Sequence, residues 1–354
     1  APLEKLDDSV IREEVTKLYR KLGESIADTY MVLGIDPNEI LMELFESFSN
    51  RLVKHKPGSR VFDIAIAGST NMYYHLEARE DYYTFLREEP GGSGVVVANM
   101  LGGLGTRTTL ISSIGLDYDG FKILSRLYTI NGISLDNLVI YRDKITLKTL
   151  VVHKGLDVET KSFIGREVAI APEPYMVNWR SIKAEVYCAA DTYIENMYKL
   201  CSRASEDDKL FVLKPGLDNI SYSPRGVVEV IQECKPIVVL SSKTHDALKE
   251  KTSLGAHDLI NLGARAVIVG ISAYGARLFE KRKVKKYTVV EASVIDPLGA
   301  SDALLAYTLW GLRQGMDLDE SVKWGVAAAA LMATRLGVGN PPSINDVSGI
   351  IGKT

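Results

Sequence analysis

A short stretch from Asp296 to Asp302 places two carboxylates around a turn of small residues, Gly299, Ala300 and Ser301. An apolar helix is predicted to begin near Ala300, and the first amides of a helix are unpaired and carry a partial positive charge. Such a turn can hold a phosphate group. Asp302 can then accept the proton of an attacking hydroxyl while the neighbouring amides stabilise charge on a transferring phosphoryl group. The open alternative is that Asp302 only complements the helix dipole.

The elements that must position this turn alternate along the chain from Arg60 onward. Apolar strand candidates, among them Val61–Ala67, Thr108–Ser113 and Leu210–Leu213, are separated by segments in which apolar residues recur at helical spacing. Strands that alternate with helices predict a mostly parallel sheet covered on both faces. A β-rich block at 138–170 interrupts this alternation, and the C-terminal third is predicted to be helical.

The first 59 residues differ from the rest because they contain no convincing strand. Apolar residues recur at helical spacing from Ile11 to Ile26, and the stretch Asp36–Glu39 has the features of a helix start. The sequence therefore predicts a helical N-terminal extension over residues 1–59, followed by one α/β domain over residues 60–354. Whether the extension packs on that domain, forms a dimer contact or acts as a regulatory cap stays open.

Composition and charge exclude several classes of protein. The 354 residues include 42 Lys and Arg against 45 Asp and Glu, a formal net charge of −3, which leaves no excess positive charge for nucleic acid. No apolar run reaches the ~18–20 residues that span a bilayer, and no signal peptide is recognised, so we predict a cytoplasmic protein without membrane contact. Cys188, Cys201 and Cys234 lack a Cys-x-x-Cys pair, which indicates neither a disulfide framework nor a zinc cluster.

Several motifs resemble those of the ribokinase-like (PfkB) family of sugar and nucleoside kinases. Asp296–Asp302 resembles the family signature Asp-Thr-x-Gly-Ala-Gly-Asp and departs from it at Pro297 and Ser301. Four further segments resemble family segments in the family's own order, namely Gly68–Asn71, Pro90–Gly105, Ser113–Gly120 and Thr334–Gly337. Together the matches extend over roughly residues 61–344.

The resemblance implies a fold and a reaction. The fold would be an α/β, ribokinase-like three-layer sandwich with a mostly parallel central sheet and a small β lid near residues 73–89 and 138–170. The reaction would move the γ-phosphate of ATP to a hydroxyl of a sugar or related small molecule, with Mg2+ bridging phosphates. Asp302 would be the general base, and the turn at residues 299–302 would be the anion hole. A monovalent cation beside Asp296 and a homodimer are further expectations that the sequence leaves open.

By the same resemblance, two groups of residues would bind the reactants. The substrate would contact Asn71, Tyr73, Gly91, Gly92 and Ser93. The nucleotide would contact Ser272, Gly275, Asp296 and Gly337. No residue is assigned as a metal ligand, and the five histidines are scattered without the spacing of a metal site.

Further places depart from the family pattern. Tyr73 replaces an Asp that binds sugar hydroxyls, Ser93 stands where Lys is common, and Val96 replaces an Asn. Ser241–Thr244 takes the place of an Asn-x-x-Glu motif whose carboxylate organises metal-bound water. These departures leave both the substrate and the metal site undecided.

The adjacent tyrosines Tyr73 and Tyr74 bear on the class of substrate. They could suit a substrate with a planar base, or they could pack within a lid strand. Three functions therefore stay open: a sugar kinase, a nucleoside kinase of the same fold, and a non-catalytic ligand-binding relative that has lost the usual metal-site motif.

Overall fold

The computed structural model describes residues 61–155, 157–289 and 293–351, and the predicted helical extension over residues 1–59 lies outside the described residues. The strands are β1 (Phe62–Gly68), β2 (Asn71–Ala78), β3 (Tyr83–Gly91), β4 (Thr108–Gly115), β5 (Ile133–Ser134), β6 (Leu138–Tyr141), β7 (Ile145–Lys154), β8 (Asp157–Ser162), β9 (Val168–Ala169), β10 (Ala184–Ala190), β11 (Leu210–Lys214), β12 (Ile237–Ser241), β13 (Ala266–Gly270), β14 (Gly275–Glu280) and β15 (Lys283–Thr288). The helices are α1 (Ser93–Gly103), α2 (Tyr118–Tyr128), α3 (Ile194–Glu206), α4 (Leu217–Tyr222), α5 (Pro224–Cys234), α6 (Ser242–Thr252), α7 (Ala256–Asn261), α8 (Ala300–Arg313), α9 (Leu318–Met332) and α10 (Ile344–Ile351).

The main sheet has the strand order β15-β14-β13-β12-β11-β10-β1-β4-β5, with β6 also paired to β4. From β12 through β1 to β4 the neighbouring strands are parallel, and β14 and β15 form an antiparallel edge. Parallel strands covered on both faces need apolar side chains throughout, and Val238, Val239 and Leu240 in β12 are fully buried. The predicted mostly parallel sheet is therefore confirmed.

The helices cover the two faces of this sheet. Side chains alternate across β1, so that Ile64 and Ile66 face one helical layer and Ala65 and Ala67 face the other. The first layer contains α1, α8 and α9, and the second contains α3, α5 and α6. Most of α8 is buried because it lies between the sheet, α1 and α9. No helix among the described residues is long and apolar enough to cross a membrane; the cytoplasmic location stays a prediction.

A separate small sheet has the order β3-β2-β7-β8, with β9 paired to β7. It contains most of the two segments expected to form the lid. The exception is β6, which lies within the 138–170 segment but pairs in parallel with β4 of the main sheet. Met72, His75 and Val151 of the small sheet are buried, whereas Tyr83 and Phe85 are exposed.

One buried carboxylate ties the C-terminal end of α8 to the first strand. Arg313 donates to Asp63 Oδ1 from Nε at 3.0 Å and from Nη2 at 2.7 Å, and the Arg107 backbone N–H donates to Asp63 Oδ2 at 2.9 Å. Burial on its own would raise the pKa of Asp63, but the hydrogen bonds from Arg107 and Arg313 outweigh it and hold the pKa below its ordinary value. The ionised carboxylate therefore stabilises the fold.

Two of the three cysteines form a disulfide that the sequence did not predict. Cys201 in α3 and Cys234 at the end of α5 form a disulfide with a Cα–Cα distance of 5.8 Å and a sequence separation of 33 residues. The expectation of no disulfide was wrong because it rested on local spacing, whereas packing of two helices on one sheet face brings these cysteines together. Cys188 is free and buried in β10, as its apolar surroundings predicted.

We expect Asp63→Asn to lower the free energy of unfolding by about 1–3 kcal/mol at pH 7, since two arginines lose a charged acceptor. A carboxyl with a depressed native pKa stabilises the fold above its unfolded pKa of about 4 and loses that contribution as the pH falls through the native value. The difference between variant and wild type should therefore shrink below about pH 4. Urea unfolding at pH 7 and pH 3, with the exposed Asp81→Asn as control, checks this; a pH-independent difference would contradict it.

Replacing both half-cystines, Cys201→Ser with Cys234→Ser, should lower the free energy of unfolding by about 3–4 kcal/mol. The reason is the loop-closure entropy that the cross-link removes from the unfolded chain for a loop of this length. Urea unfolding of oxidised wild type, reduced wild type and the double variant measures the effect. The two cross-link-free forms should agree, and identical midpoints for all three would show that the disulfide does not stabilise the fold.

Candidate active site

The strand order of the main sheet indicates which end of the sheet is expected to bind a ligand. β1 is followed in space by β4 on one side and β10 on the other, so the strand order reverses there, and ligands of such sheets bind at the carboxyl ends beside that point. The residues that follow these strand ends are Ser69 and Asn71 after β1, Asp191 after β10, and Lys214 at the end of β11. All four carry polar side chains.

The predicted anion turn reaches the same edge. Gly299 has φ +79°, a left-handed conformation, and a Cβ there would approach the side chains of Val338 and Met332 to 2.9 and 3.0 Å. No side chain of the described residues caps α8, which begins at Ala300. The Ala300 N–H donates to the Pro297 carbonyl at 3.3 Å, so the amides that follow it are the better placed to hold an anion.

A buried ammonium group faces the predicted base. Lys214 Nζ lies 2.9 Å from Asp302 Oδ1 and donates to Ser93 Oγ at 3.0 Å. Burial on its own would lower the pKa of Lys214, but the ion pair with Asp302 outweighs it, and the pKa is raised. The family resemblance led us to expect a lysine at position 93, and here β11 brings Lys214 to Ser93 from another part of the chain.

A second carboxylate completes this group. Asp191 Oδ2 accepts from Ser69 Oγ at 3.0 Å, and Ser69 Oγ in turn accepts from the Ser93 N–H at 3.1 Å. Burial raises the pKa of Asp191, and the charge of Lys214 opposes that rise. Two carboxylates therefore share one buried ammonium at the N-terminus of α8. We call Asp191, Lys214 and Asp302 the charged triad.

Sequence reasoning found Asp302 but missed the other two members of the charged triad. A usable signal was present, because Asp191 and Lys214 each stand at the carboxyl end of a strand predicted to be parallel. Polar side chains at such ends converge on one site.

The predicted substrate residues lie next to the charged triad. Gly92 has φ +87°, a left-handed conformation that favours glycine. A Cβ at this position would come within 2.5 Å of the Ser69 carbonyl oxygen, so only glycine fits here. Gly91 packs directly on the Tyr73 ring. Burial raises the pKa of Tyr73, and the negative charge of Asp302 raises it further. The Tyr73 hydroxyl therefore lies close enough to Asp302 to interact with its charge.

Asn71 is held on one side and unpaired on the other. Its Nδ2 donates to Thr149 Oγ1 at 3.1 Å, whereas its Oδ1 is buried and accepts no hydrogen bond from the described residues. An unpaired buried amide oxygen costs about 1–3 kcal/mol. A donor on a bound ligand would remove that cost.

Tyr73 and Tyr74 do not form one aromatic surface. The Tyr74 hydroxyl donates to both carboxylate oxygens of Asp119 in α2 at 2.8 Å, whereas Tyr73 is buried against the glycine segment. Successive side chains of a strand point to opposite faces, and these two tyrosines follow that rule in β2.

The predicted nucleotide residues fall into two places. Ser272 (φ +50°) and Gly275 (φ +140°) form the tight connection from β13 to β14, whose Ala273 packs into the layer that contains α8 and α9. Asp296 is buried, and its carboxylate accepts from the Leu298 N–H and the Gly337 N–H, both at 2.9 Å. Asp296 thus joins the anion turn to the closing segment at Gly337.

The stretch in place of the Asn-x-x-Glu motif does not fit a magnesium site. Ser241 Oγ accepts from the Thr244 N–H at 3.1 Å and caps α6, and the Thr244 hydroxyl bonds back to Ser241. Hard cations such as Mg2+ take carboxylate ligands, and Ser241–Thr244 supplies none. Asp246 pairs with His245 at 3.0 Å instead.

Comparison with known proteins agrees with this architecture. Residues 62–345 match the family described as pfkB family carbohydrate kinase. ATP-dependent 6-phosphofructokinase isozyme 2 of Mycobacterium tuberculosis is 30% identical over 148 residues, which span only 41% of this chain and 41% of that enzyme. D-tagatose-1-phosphate kinase of Bacillus licheniformis is 24% identical over 285 residues, which span 76% of this chain and 88% of that enzyme.

Solved structures give the same result for the fold. Fructokinase from Xylella fastidiosa with bound ATP has a TM-score of 0.71 at 16% identity, over 83% of this chain and 99% of that chain. Burkholderia thailandensis nucleoside kinase in complex with inosine has a TM-score of 0.67 at 17% identity, over 82% of this chain and 98% of that chain. The ribokinase-like fold expected from the motifs is thereby confirmed. With its ordered motifs, its main sheet and lid, and the match over residues 62–345, the chain belongs to the pfkB family of carbohydrate kinases.

Proposed function

We propose that this chain transfers the γ-phosphate of ATP to a hydroxyl group of a sugar or related small molecule. The observation that supports this best is the buried pair of Asp302 and Lys214 at the uncapped N-terminus of α8. A carboxylate that only complemented a helix dipole would need no buried ammonium. A lysine withdrawn from water costs several kcal/mol unless it is paired, so the pair has a purpose beyond stability.

In this proposal Asp302 accepts the proton of the substrate hydroxyl. The hydroxyl oxygen forms the new bond to the γ-phosphorus, the bond from that phosphorus to the β,γ-bridging oxygen breaks, and ADP leaves. The amides at the start of α8 and the ammonium of Lys214 stabilise the charge on the transferring group. Mg2+ is expected with ATP from the family resemblance, and no step here depends on it.

The substrate side of the site favours a molecule with hydroxyl groups. The unpaired Oδ1 of Asn71 can accept a hydrogen bond from a sugar hydroxyl. The small sheet covers this region as a lid, and a lid that closes excludes water, which otherwise competes as the phosphoryl acceptor. A homodimer stays an expectation.

The two rival functions have weaker support. The nucleoside kinase depended on Tyr73 and Tyr74 offering a surface to a planar base, and the bond of Tyr74 to Asp119 leaves at most one ring for that purpose. The non-catalytic relative depended on the lost Asn-x-x-Glu motif. The charged triad supplies acid–base and electrostatic groups of its own, which favours catalysis.

Turnover of a panel of hexoses, pentoses, sugar phosphates and nucleosides, followed by coupled detection of ADP, tests the proposed reaction. We expect a sugar or sugar phosphate to be phosphorylated, and Asp302→Asn to lower kcat by about 10²–10⁴ because the general base is lost. The exposed Asp136→Asn serves as the matched control. Full activity in Asp302→Asn would refute the assigned base, nucleosides alone as acceptors would favour the rival kinase, and no acceptor at all would favour the binding protein.

Lys214→Met should lower kcat by about 10²–10³, the effect of losing one electrostatic donor at the transferring group. The acidic limb of the pH–kcat profile should also move to higher pH, because Asp191, whose pKa burial raises, loses the charge of Lys214 that opposes this rise. Lys214→Arg keeps the charge and should restore the position of that limb. Thermal unfolding of each variant shows whether it is folded, and an unchanged kcat and profile in a folded Lys214→Met protein would remove Lys214 from the mechanism.

A further inference from the structure

A second group of buried polar side chains lies on the lid side of Asp296, and the proposed reaction uses none of its imidazoles. His75 in β2 and His153 in β7 are both buried, and their Nδ1 and Nε2 atoms lie 2.9 Å apart. One oxygen of Asp296 and one ring nitrogen from each histidine lie within 4.8 Å of one another. The sequence spacing of these histidines suggested no metal site, and the pairing of β2 with β7 brings them together across 78 residues.

The proton positions in this group leave metal-binding electron pairs available. His75 Nε2 lies 3.0 Å from Glu89 Oε1, so the carboxylate favours the tautomer with its proton on Nε2. His75 Nδ1 then carries a lone pair that points toward His153.

The spacing also suits a first-row transition metal. Zinc binds imidazole nitrogen and carboxylate oxygen at about 2.0–2.2 Å. Two nitrogens on one such ion at angles of about 90–110° are therefore about 2.9–3.4 Å apart. The 2.9 Å between His75 Nδ1 and His153 Nε2 falls within that range. When an ion binds, a neutral His153 ring would carry its single proton on Nδ1 instead of Nε2, which leaves the Nε2 lone pair for the ion.

Outer partners hold each of the oxygen-bearing groups in place. Glu89 accepts from the Val338 N–H at 2.6 Å and the Gly339 N–H at 2.9 Å, and Arg87 contacts the same carboxylate. Asp296 is held by the amides of Leu298 and Gly337. A carboxylate behind a ligating histidine is the usual arrangement in zinc sites, where it orients the ring.

We propose that His75, His153 and Asp296 bind a divalent transition-metal ion of the Zn2+ class, with Glu89 orienting His75 as a positioning residue. Two imidazole nitrogens distinguish this site from one for Mg2+ or a monovalent cation, which prefer oxygen ligands. A bound ion would join lid strands β2 and β7 to the segment that leads into the anion turn. The proposal does not depend on the proposed reaction, because none of its ligands belongs to the charged triad.

Metal binding to the purified full chain, stripped with chelator, tests this directly. Dialysis against Zn2+ followed by elemental analysis should give one ion per chain, and Co2+ should give visible absorption bands typical of a nitrogen-containing low-symmetry site. A millimolar excess of Mg2+ or K+ should not displace either ion. The absence of both stoichiometric Zn2+ and Co2+ absorption in wild type would overturn the proposal without any variant.

Variants then identify the ligands. His75→Gln and His153→Gln should each lose the stoichiometric ion and the metal-dependent rise in Tm, and Glu89→Gln should weaken Zn2+ affinity about 10–100-fold. The exposed His257→Gln is the matched control and should bind as wild type does. Circular dichroism without metal shows whether each variant is folded. Equal Zn2+ binding by wild type and a folded His75→Gln, His153→Gln double variant would show that the cluster is only a hydrogen-bonded contact.

Discussion

The buried ion pair between Lys214 and Asp302 is the interaction on which the arrangement of the site depends. Two charges removed from water are each penalised by several kcal/mol, and their attraction offsets this only with good geometry. The pair lies at 2.9 Å with Ser93 as a further acceptor for the ammonium and Asp191 nearby. If Lys214 and Asp302 moved apart, each would be a buried charge without a partner. The end of β11 and the start of α8 must therefore lie together, and Asp191 brings the end of β10 to the same point.

The main sheet meets this requirement through the order of its strands. β1, β10 and β11 are adjacent and parallel, so their carboxyl ends lie along one edge. α8 crosses the face of the sheet with its N-terminus at that edge, and its other end is held by the bonds between Arg313 and Asp63. The left-handed Gly299 turns the chain into α8 at the place where the first free amides can meet an anion.

The sequence predicted the parts of this structure that depend on local pattern. Alternating apolar strands and helices predicted the parallel sheet, and the small residues before Asp302 predicted the turn and helix start. It could not predict pairings made across long separations: Lys214 meets Ser93 across 121 residues, and Cys201 meets Cys234 across 33. His75 and His153 likewise become neighbours only when β2 pairs with β7. Spacing along the chain carries no information about such contacts unless strand order is known.

The lid and the anion turn are joined by the same residues that hold the closing segment in place. Glu89 at the end of lid strand β3 accepts from two amides of that segment, while Asp296 accepts from a third at Gly337. Any outward movement of β3 must break the bonds of Glu89 to the Val338 and Gly339 amides. A ligand that binds only when the lid is closed therefore favours the bonded arrangement of the closing segment. By the same linkage, a ligand that contacts the closing segment only in its bonded arrangement favours the closed lid.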